Sequence, residues 1–283
     1  MSEPVAMSVP RIPAMLAPPD LVVDLESRLA ESLVTQALQI ALKEIFPGRI
    51  AVVSSFGAES AVLLHMVAVI DAATPVLFID TGRHFGETLE YRDRLIGHLG
   101  LKDVRSIGPS AEEAATLDAD FNRATWDPDG CCAFRKVRPL ERALAGFDAW
   151  ITGRKRFQGA TRSGLPIVEF DGTHVKVNPL ANWSAAGIEA YIAGHQLPVH
   201  PLVALGYRSI SCASCSSISR PGEDPRAARW RGFNKTECGI HRPIAGRGLS
   251  LSKPSRGTKT TATAVETAET MMSGPSLLSK TCS

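Results

Sequence analysis

The sequence predicts an α/β fold, a mostly parallel sheet with helices on both faces. Short apolar runs rich in β-branched residues recur at 50–53, 76–79 and 149–152. Segments with helical apolar spacing separate them, and the runs end in turns rich in glycine and hydroxyl residues. Runs that are apolar throughout, rather than alternating, suit strands buried on both faces, as parallel βαβ units produce.

In chain order, Leu25, Leu29, Leu33, Leu38, Leu42 and Ile45 recur at near-helical spacing, and Pro47-Gly48 ends that helix. Residues 50–53 form the first strand, which the loop Ser54-Ser55-Phe56-Gly57-Ala58-Glu59-Ser60 joins to an apolar helix reaching Ile70. Pro75 precedes the strand 76–79, which ends in Asp80-Thr81-Gly82-Arg83. A helix over 87–99, a weaker strand near Val104 and a strand over 149–152 ending in Gly153-Arg154 follow. Residues 167–170 and 174–177 flank Asp171-Gly172 and predict a hairpin at the sheet edge. Trp183-Ser184 caps a helix over 185–193. No internal repeat is present.

A chain of 283 residues, 44% hydrophobic and 21% charged, is ordinary for one large globular domain. Residues 21–245 are expected to form that domain, including a segment at 233–242. Residues 1–20 and the Ser/Thr/Lys/Ala-rich stretch 246–283 are expected to be disordered, having little apolar surface to bury. A net charge of +2 gives no general field for nucleic acid, so any basic site is local. The first twenty residues include Glu3, Arg11 and scattered prolines and lack the basic and apolar regions of a signal peptide. The longest apolar stretch, 61–70, is interrupted by His65 and too short to span a bilayer. A cytoplasmic location without membrane or nucleic-acid partners is expected. Six cysteines there suit metal binding or catalysis better than disulfides.

The loop 54–60 joins a buried strand to a helix. Gly57 permits a tight turn, Ser54, Ser55 and Ser60 offer hydroxyls, and the helix N-terminus carries partial positive charge. It is an anion cradle, though neither the Walker pattern nor GxGxxG. Strand ends in an open sheet are where ligands bind, so this loop, the Thr81-Gly82 turn and the Gly153-Arg154 turn are expected to share one crevice.

The cysteines fall into two pairs, Cys131-Cys132 and Cys212-x-x-Cys215, with Cys238 and Cys282 outside them. Cys131 and Cys132 open a helix carrying Val137, Leu140 and Leu144. Adjacent helical residues diverge by about 100°, so two neighbouring thiolates embrace a bulky cluster more easily than one small ion. A structural zinc more often takes two CxxC pairs. The spacing therefore favours a four-cysteine iron–sulfur cluster, with zinc as the alternative. Arg135 and Lys136 stand close enough in sequence to offset thiolate charge.

Several motifs then resemble one family: SSFGAES, DTGRHFGETLEYRDRL, CCAFRKVRPL, WITGRKRFQGATRS, KVNPLANWS, SCASCS and KTECGIH. They occur in the order found in the assimilatory sulfonucleotide reductases, and the likeness spans 54–241. The double cysteine pair resembles the branch that reduces adenosine 5′-phosphosulfate (APS). The resemblance implies an adenine-nucleotide α-hydrolase-like (PP-loop) fold and reduction of APS to sulfite and AMP in sulfate assimilation. It also implies a thioredoxin or glutaredoxin-like thiol carrier as partner. By match, Cys131, Cys132, Cys212 and Cys215 would ligate a 4Fe–4S cluster, and Cys238 would be the catalytic nucleophile. Ser54, Ser55, Gly57 and Ser60, with Thr81 and Gly82, would line the nucleotide site, and Lys136, Arg154 and Arg162 would stand near sulfate and phosphate. The stretch after ECGIH, with Cys282, has no counterpart in the family. The reductant is expected to be a separate protein, and oligomeric state is left open.

The chemistry of the residues agrees with this. A soft thiolate can attack the sulfur of APS with AMP as leaving group, and a second thiol can then expel sulfite. Lys235, His241 and Arg242 are close enough in sequence to favour the Cys238 thiolate. The rival readings are a reductase of the 3′-phosphorylated nucleotide, a PP-loop ATP pyrophosphatase-type sulfur transferase, and a non-enzymatic metal or cluster sensor.

Overall fold

The structure is a computed structural model that describes residues 18–30 and 32–241. The first seventeen residues and everything from Arg242, including the 246–283 stretch and Cys282, lie outside the described residues. Helix α1 (Pro18–Ala30) begins three residues before the expected start of the domain.

The run of leucines expected to make one helix makes two. After α1, helix α2 (Val34–Gln39) continues through a π-helical turn, Ile40–Ile45. Leu33 sits in extended backbone at the N-cap of α2 and is 70% exposed, while Leu25, Leu29, Leu38 and Leu42 are buried. The five-residue step from Leu33 to Leu38 overshoots one helical turn of 3.6, so one apolar stripe cannot hold both.

Among the described residues the sheet has six strands: β1 (Ile50–Ser54), β2 (Val76–Ile79), β3 (Val104–Ile107), β4 (Ala149–Thr152), β5 (Val168–Phe170) and β6 (Val175–Val177). Their order is β3-β2-β1-β4-β6-β5, parallel throughout except that the edge strand β5 runs antiparallel to β6. Helices α3 (Ser60–Asp71), α4 (Gly86–Leu99) and α5 (Ala111–Leu117) follow the first three strands. The expected parallel sheet and edge hairpin are both present.

Period-two alternation sends neighbouring residues of each central strand to opposite faces. Ile50, Val52, Val76, Phe78 and Ile151 pack in one large core with Leu25, Leu38, Leu64 and Leu95. Ala51, Val53, Leu77, Ile79 and Trp150 face the other way, onto Val137, Leu140, Leu144 and Ile240. Each fully buried Leu, Ile or Val side chain contributes about 1.5–3 kcal/mol, which is why these strands read as continuous apolar runs.

The second face is covered by one long helical segment: α6 (Pro128–Cys132), a π turn (Ala133–Val137) and α7 (Arg138–Leu144). Asp127 caps it by accepting from the Gly130 amide, and Pro128 occupies the first turn. Helix α8 (Ala185–Gly194) is capped by Ser184, as expected, and the short α9 (Pro201–Ala204) leads toward the CxxC arm. The chain leaves β1 toward β2 and β3 on one side, while β4 and β6 lie on the other. A crevice therefore opens at the carboxyl ends of β1 and β4, where the connections diverge.

Candidate active site

The crevice holds a cavity of about 200 Å³. On one side is the loop after β1. Phe56 takes a left-handed backbone (φ 47°) and is fully buried against Phe78, while its amide donates to Ser54 Oγ at 3.1 Å. That buried anchor turns the loop outward, so Ser54, Ser55, Gly57 and Ser60 line the cavity. A Cβ on Gly57 would stand 2.9 Å from the Ile210 carbonyl oxygen, so this glycine serves a close approach between two loops. Ile79 and Leu63 give the cavity an apolar floor.

The remaining walls are strongly basic. Among the described residues, Lys136, Arg154, Lys155, Arg162, Arg208, Arg226 and Arg229 line the cavity, against one carboxylate, Glu59. Glu59 is held by Lys155 and Gln158, each at 2.7 Å. Arg154 is fixed by Glu169 and by Asn178 at 3.0 Å. Burial, helped by the neighbouring charge of Arg162 and opposed by Glu237, lowers the Arg154 pKa to about 10. Three buried nitrogens on these walls have no hydrogen-bond partner among the described residues: Arg226 Nε, Trp230 Nε1 and His241 Nδ1. Buried polar groups are nearly always paired, so unpaired ones on the walls of this cavity leave hydrogen-bonding capacity for a bound polar group.

Behind this cavity the four paired cysteines meet. Cys131, Cys132, Cys212 and Cys215 are all buried and pack in one group with Ala124, Phe134 and Trp230. The CxxC arm is fastened to the turn after β2 by a His84–Cys212 bridge and by the Ala213 amide on the Arg83 carbonyl at 2.7 Å. Thr81 Oγ1 lies 3.2 Å from Cys212 Sγ. No three His, Cys, Asp or Glu side chains among the described residues converge on the position of a single metal ion. Burial pushes the thiols of Cys131 and Cys132 up, to about 11 and about 12. Burial also raises Cys212, but Lys136, the Thr81 hydroxyl and Arg229 outweigh it and hold that thiol low.

Lys136 stands between the thiols and the cavity. The π turn widens the helix after Cys132, and Arg135 and Lys136 are both buried on it. Lys136 Nζ donates to Ser211 Oγ at 2.8 Å and has no carboxylate partner among the described residues. Burial disfavours its charge, but Cys212, Cys238 and Cys132 outweigh that and hold it protonated. Arg135 and Arg83 share the buried Asp118 at 2.8 and 2.7 Å, leaving one net positive charge beside Cys131.

The segment carrying Cys238 is seated on the domain. Ile240 is buried, the His241 ring stacks on Trp150 (5.5 Å, 6° between planes), and Lys176 donates to the His241 carbonyl at 3.1 Å. Glu237 is held by Arg162 and Arg226, and Lys235 pairs with Asp129. Cys238 is half-buried, lines the cavity and touches the four-cysteine group. His241 cannot supply positive charge to it: burial, reinforced by Arg154 and Arg162, keeps the imidazole neutral. Arg242 lies outside the described residues.

The structure thus gathers Ser54, Ser55, Gly57, Ser60, Lys136, Arg154, Arg162 and Cys238 around one cavity. Thr81 and Gly82 are placed differently. They lie outside its lining, with Thr81 turned to Cys212 and Gly82 beside Arg135. The strand β2 is one removed from the crevice, so its turn reaches the cysteines first. Arg208, Arg226, Arg229 and Trp230 join the wall without any signal in the sequence, since they come from an irregular stretch that has no periodicity. Helix α5 is a further addition, although its capping box, Ser110-x-x-Glu113, is legible in the sequence and is formed (3.0 and 2.9 Å).

Residues 49–218 match the phosphoadenosine phosphosulfate reductase domain. The chain is 48% identical over 220 residues to an adenosine 5′-phosphosulfate reductase of Mesorhizobium japonicum, covering 78% of this chain and 86% of the relative. It is 50% identical over 196 residues to one from a Chelativorans species, covering 69% and 80%. A solved phosphoadenylyl-sulfate reductase from Candida auris, in a phosphate complex, superposes with a TM-score of 0.61 at 27% identity, covering 72% of this chain and 98% of that one. A buried-strand PP-loop, a cationic cavity at the sheet's switch point and this extent of identity have one common source: the chain belongs to the phosphoadenosine phosphosulfate reductase family.

Proposed function

We propose that the protein reduces adenosine 5′-phosphosulfate to sulfite and AMP, with Cys238 as nucleophile. One observation carries the reading. Cys238 is the thiol that lines the cationic cavity, and it does so where that cavity meets the buried cysteine group. The close relatives bear the name of this reaction.

In the first step the Cys238 thiolate attacks the sulfur of APS. A bond forms between Cys238 Sγ and that sulfur, the bond from sulfur to the bridging oxygen breaks, and its electron pair leaves on AMP. Arg154, Arg162 and Arg226 face the charge that accumulates on the anion, in a site where fixed donors need not reorganise. In the second step a carrier thiolate, from a thioredoxin or glutaredoxin-like dithiol, attacks Cys238 Sγ and expels sulfite with the electron pair. The carrier's other thiol then resolves the mixed disulfide, so two thiols supply the two electrons.

Cys131, Cys132, Cys212 and Cys215 would hold a 4Fe–4S cluster. The donor set supports it: four buried thiols packed in one group, with Lys136, Arg83 and Arg135 to balance thiolate charge. Such a cluster, held by four cysteines, supplies charge and cross-linking of the Cys131-Cys132 helix to the CxxC arm. The reducing cytoplasm suits five free cysteines among the described residues. No helix among the described residues is long and apolar enough to cross a membrane.

The test is anaerobic purification followed by sulfite assay with APS and its 3′-phosphorylated analogue side by side. APS and a thiol carrier should yield sulfite. Without carrier, one AMP per chain should be released and a sulfonate should map to Cys238 by peptide mass spectrometry. Turnover by Cys238→Ser, or an adduct on another cysteine, would overturn the assignment.

A further inference from the structure

The Glu237 carboxylate grips two cavity arginines on the residue just before the thiol. Arg162 Nε and Nη2 donate to its two oxygens at 2.7 and 2.9 Å, a bidentate fork. Arg226 Nη2 adds a bond to Oε2 at 3.0 Å and one to the Thr236 carbonyl at 2.8 Å. Arg162 is itself steadied by Gln158 at 2.6 Å. All three charged side chains are largely buried, at 21%, 9% and 16% exposed. Burial alone would raise the carboxyl's pKa, but the arginines outweigh it and keep Glu237 ionised.

The segment has a separate set of anchors downstream, namely Ile240 and the His241–Trp150 stack. Between the two sets lies Gly239, in a left-handed backbone (φ 92°). A chain anchored only downstream would let Cys238 swing about this glycine. An upstream grip removes that freedom, and bidentate arginine–carboxylate pairs are the polar contacts that fix direction best.

We propose that Glu237 is a positioning residue: through the Arg162–Glu237–Arg226 clamp it fixes the Cys238 thiol over the cavity. This rests on the reading of Cys238 as the nucleophile. The clamp also shares its arginines with the cavity, so the groups that aim the thiol are those that meet the substrate's anion.

The test compares full-length wild type with Glu237→Gln, Arg162→Gln and the double variant, all purified anaerobically. Iodoacetamide alkylation of Cys238 is followed by peptide mass spectrometry across a pH series. The plateau at high pH, where the thiol is fully ionised, reports access independently of any change in thiol acidity. Glu237→Gln should raise that plateau rate about tenfold, the scale of one lost charge-assisted pair. The double variant should be no faster than either single one, because both break the same clamp. In the sulfite assay Glu237→Gln, which leaves both cavity arginines in place, should lower kcat about tenfold with KM for APS changed less than threefold. Equal alkylation plateaus in wild type and Glu237→Gln would overturn the proposal, as would rates that multiply in the double variant. A lower KM with a higher kcat in Glu237→Gln would also overturn it, showing that the carboxylate merely occupies the substrate's place. If wild type makes no sulfite from APS but the alkylation contrast holds, the reaction assignment fails and the clamp stands.

Discussion

Lys136 donates to Ser211 at 2.8 Å, tying the helix of the first cysteine pair to the arm of the second. The ammonium is buried, and the groups that favour its charge are Cys212, Cys238 and Cys132. One cation therefore links the cysteine group, Cys238 and the cavity.

Replacing Lys136 with Met should lower kcat/KM for APS about 100-fold, the usual effect of removing one preorganised charge from a site. The fold should survive, because an apolar chain of similar length fills the same space. Lys136→Arg should not restore activity, since a planar guanidinium is wider than the ammonium seated on Ser211. Steady-state sulfite assays beside thermal melts check this. A Met variant within threefold of wild type would contradict it.

Thr81 reaches Cys212 across 3.2 Å and turns away from the cavity. Thr81→Val keeps the shape and removes the hydroxyl. Iron loss from the proposed cluster to a chelator should then be about tenfold faster, the scale of lost outer-shell support at a metal site, while KM for APS stays within twofold. An unchanged rate of iron loss would show that the hydroxyl does not support the site.

Gly57 cannot accept a side chain without moving the Ile210 carbonyl, whose oxygen would stand 2.9 Å from the added Cβ. Gly57→Ala should cost about 1–3 kcal/mol, as overpacking does. It should also weaken APS binding, because the loop carries the serines that line the cavity. Melting temperature and a nucleotide-binding titration read the two effects separately.

His200 gives a pH prediction away from the site. Its Nε2 meets Thr88 Oγ1 at 3.0 Å, and its Nδ1 accepts from the Leu202 amide at 3.2 Å, so the ring is held neutral. Burial lowers its pKa to about 4, against the opposing charge of Glu87. Above about pH 6.5 neither folded nor unfolded chain binds this proton, and the group contributes nothing. Between about 6.5 and about 4 the unfolded chain takes up a proton that the folded one refuses, so stability falls with falling pH. Denaturant melts across this window should show a shallower pH slope in His200→Gln than in wild type. Equal slopes would contradict it.

Much of this molecule was determined locally. Ile50–Ser54, Val76–Ile79 and Ala149–Thr152 are strands because unbroken apolar runs of that length are buried on both faces, and such runs are visible in the chain itself. The serine loop, the edge hairpin and the Ser184 cap were legible for the same reason: short-range chemistry fixes them. Tertiary structure decided what spacing cannot encode. It turned Thr81 to Cys212, because strand order sets which loop reaches which neighbour. It drew Arg226, Arg229 and Trp230 from an irregular stretch into the cavity wall. It also bound Glu237 to Arg162 across 75 positions, since ion pairs form by proximity in space and leave no period in the sequence.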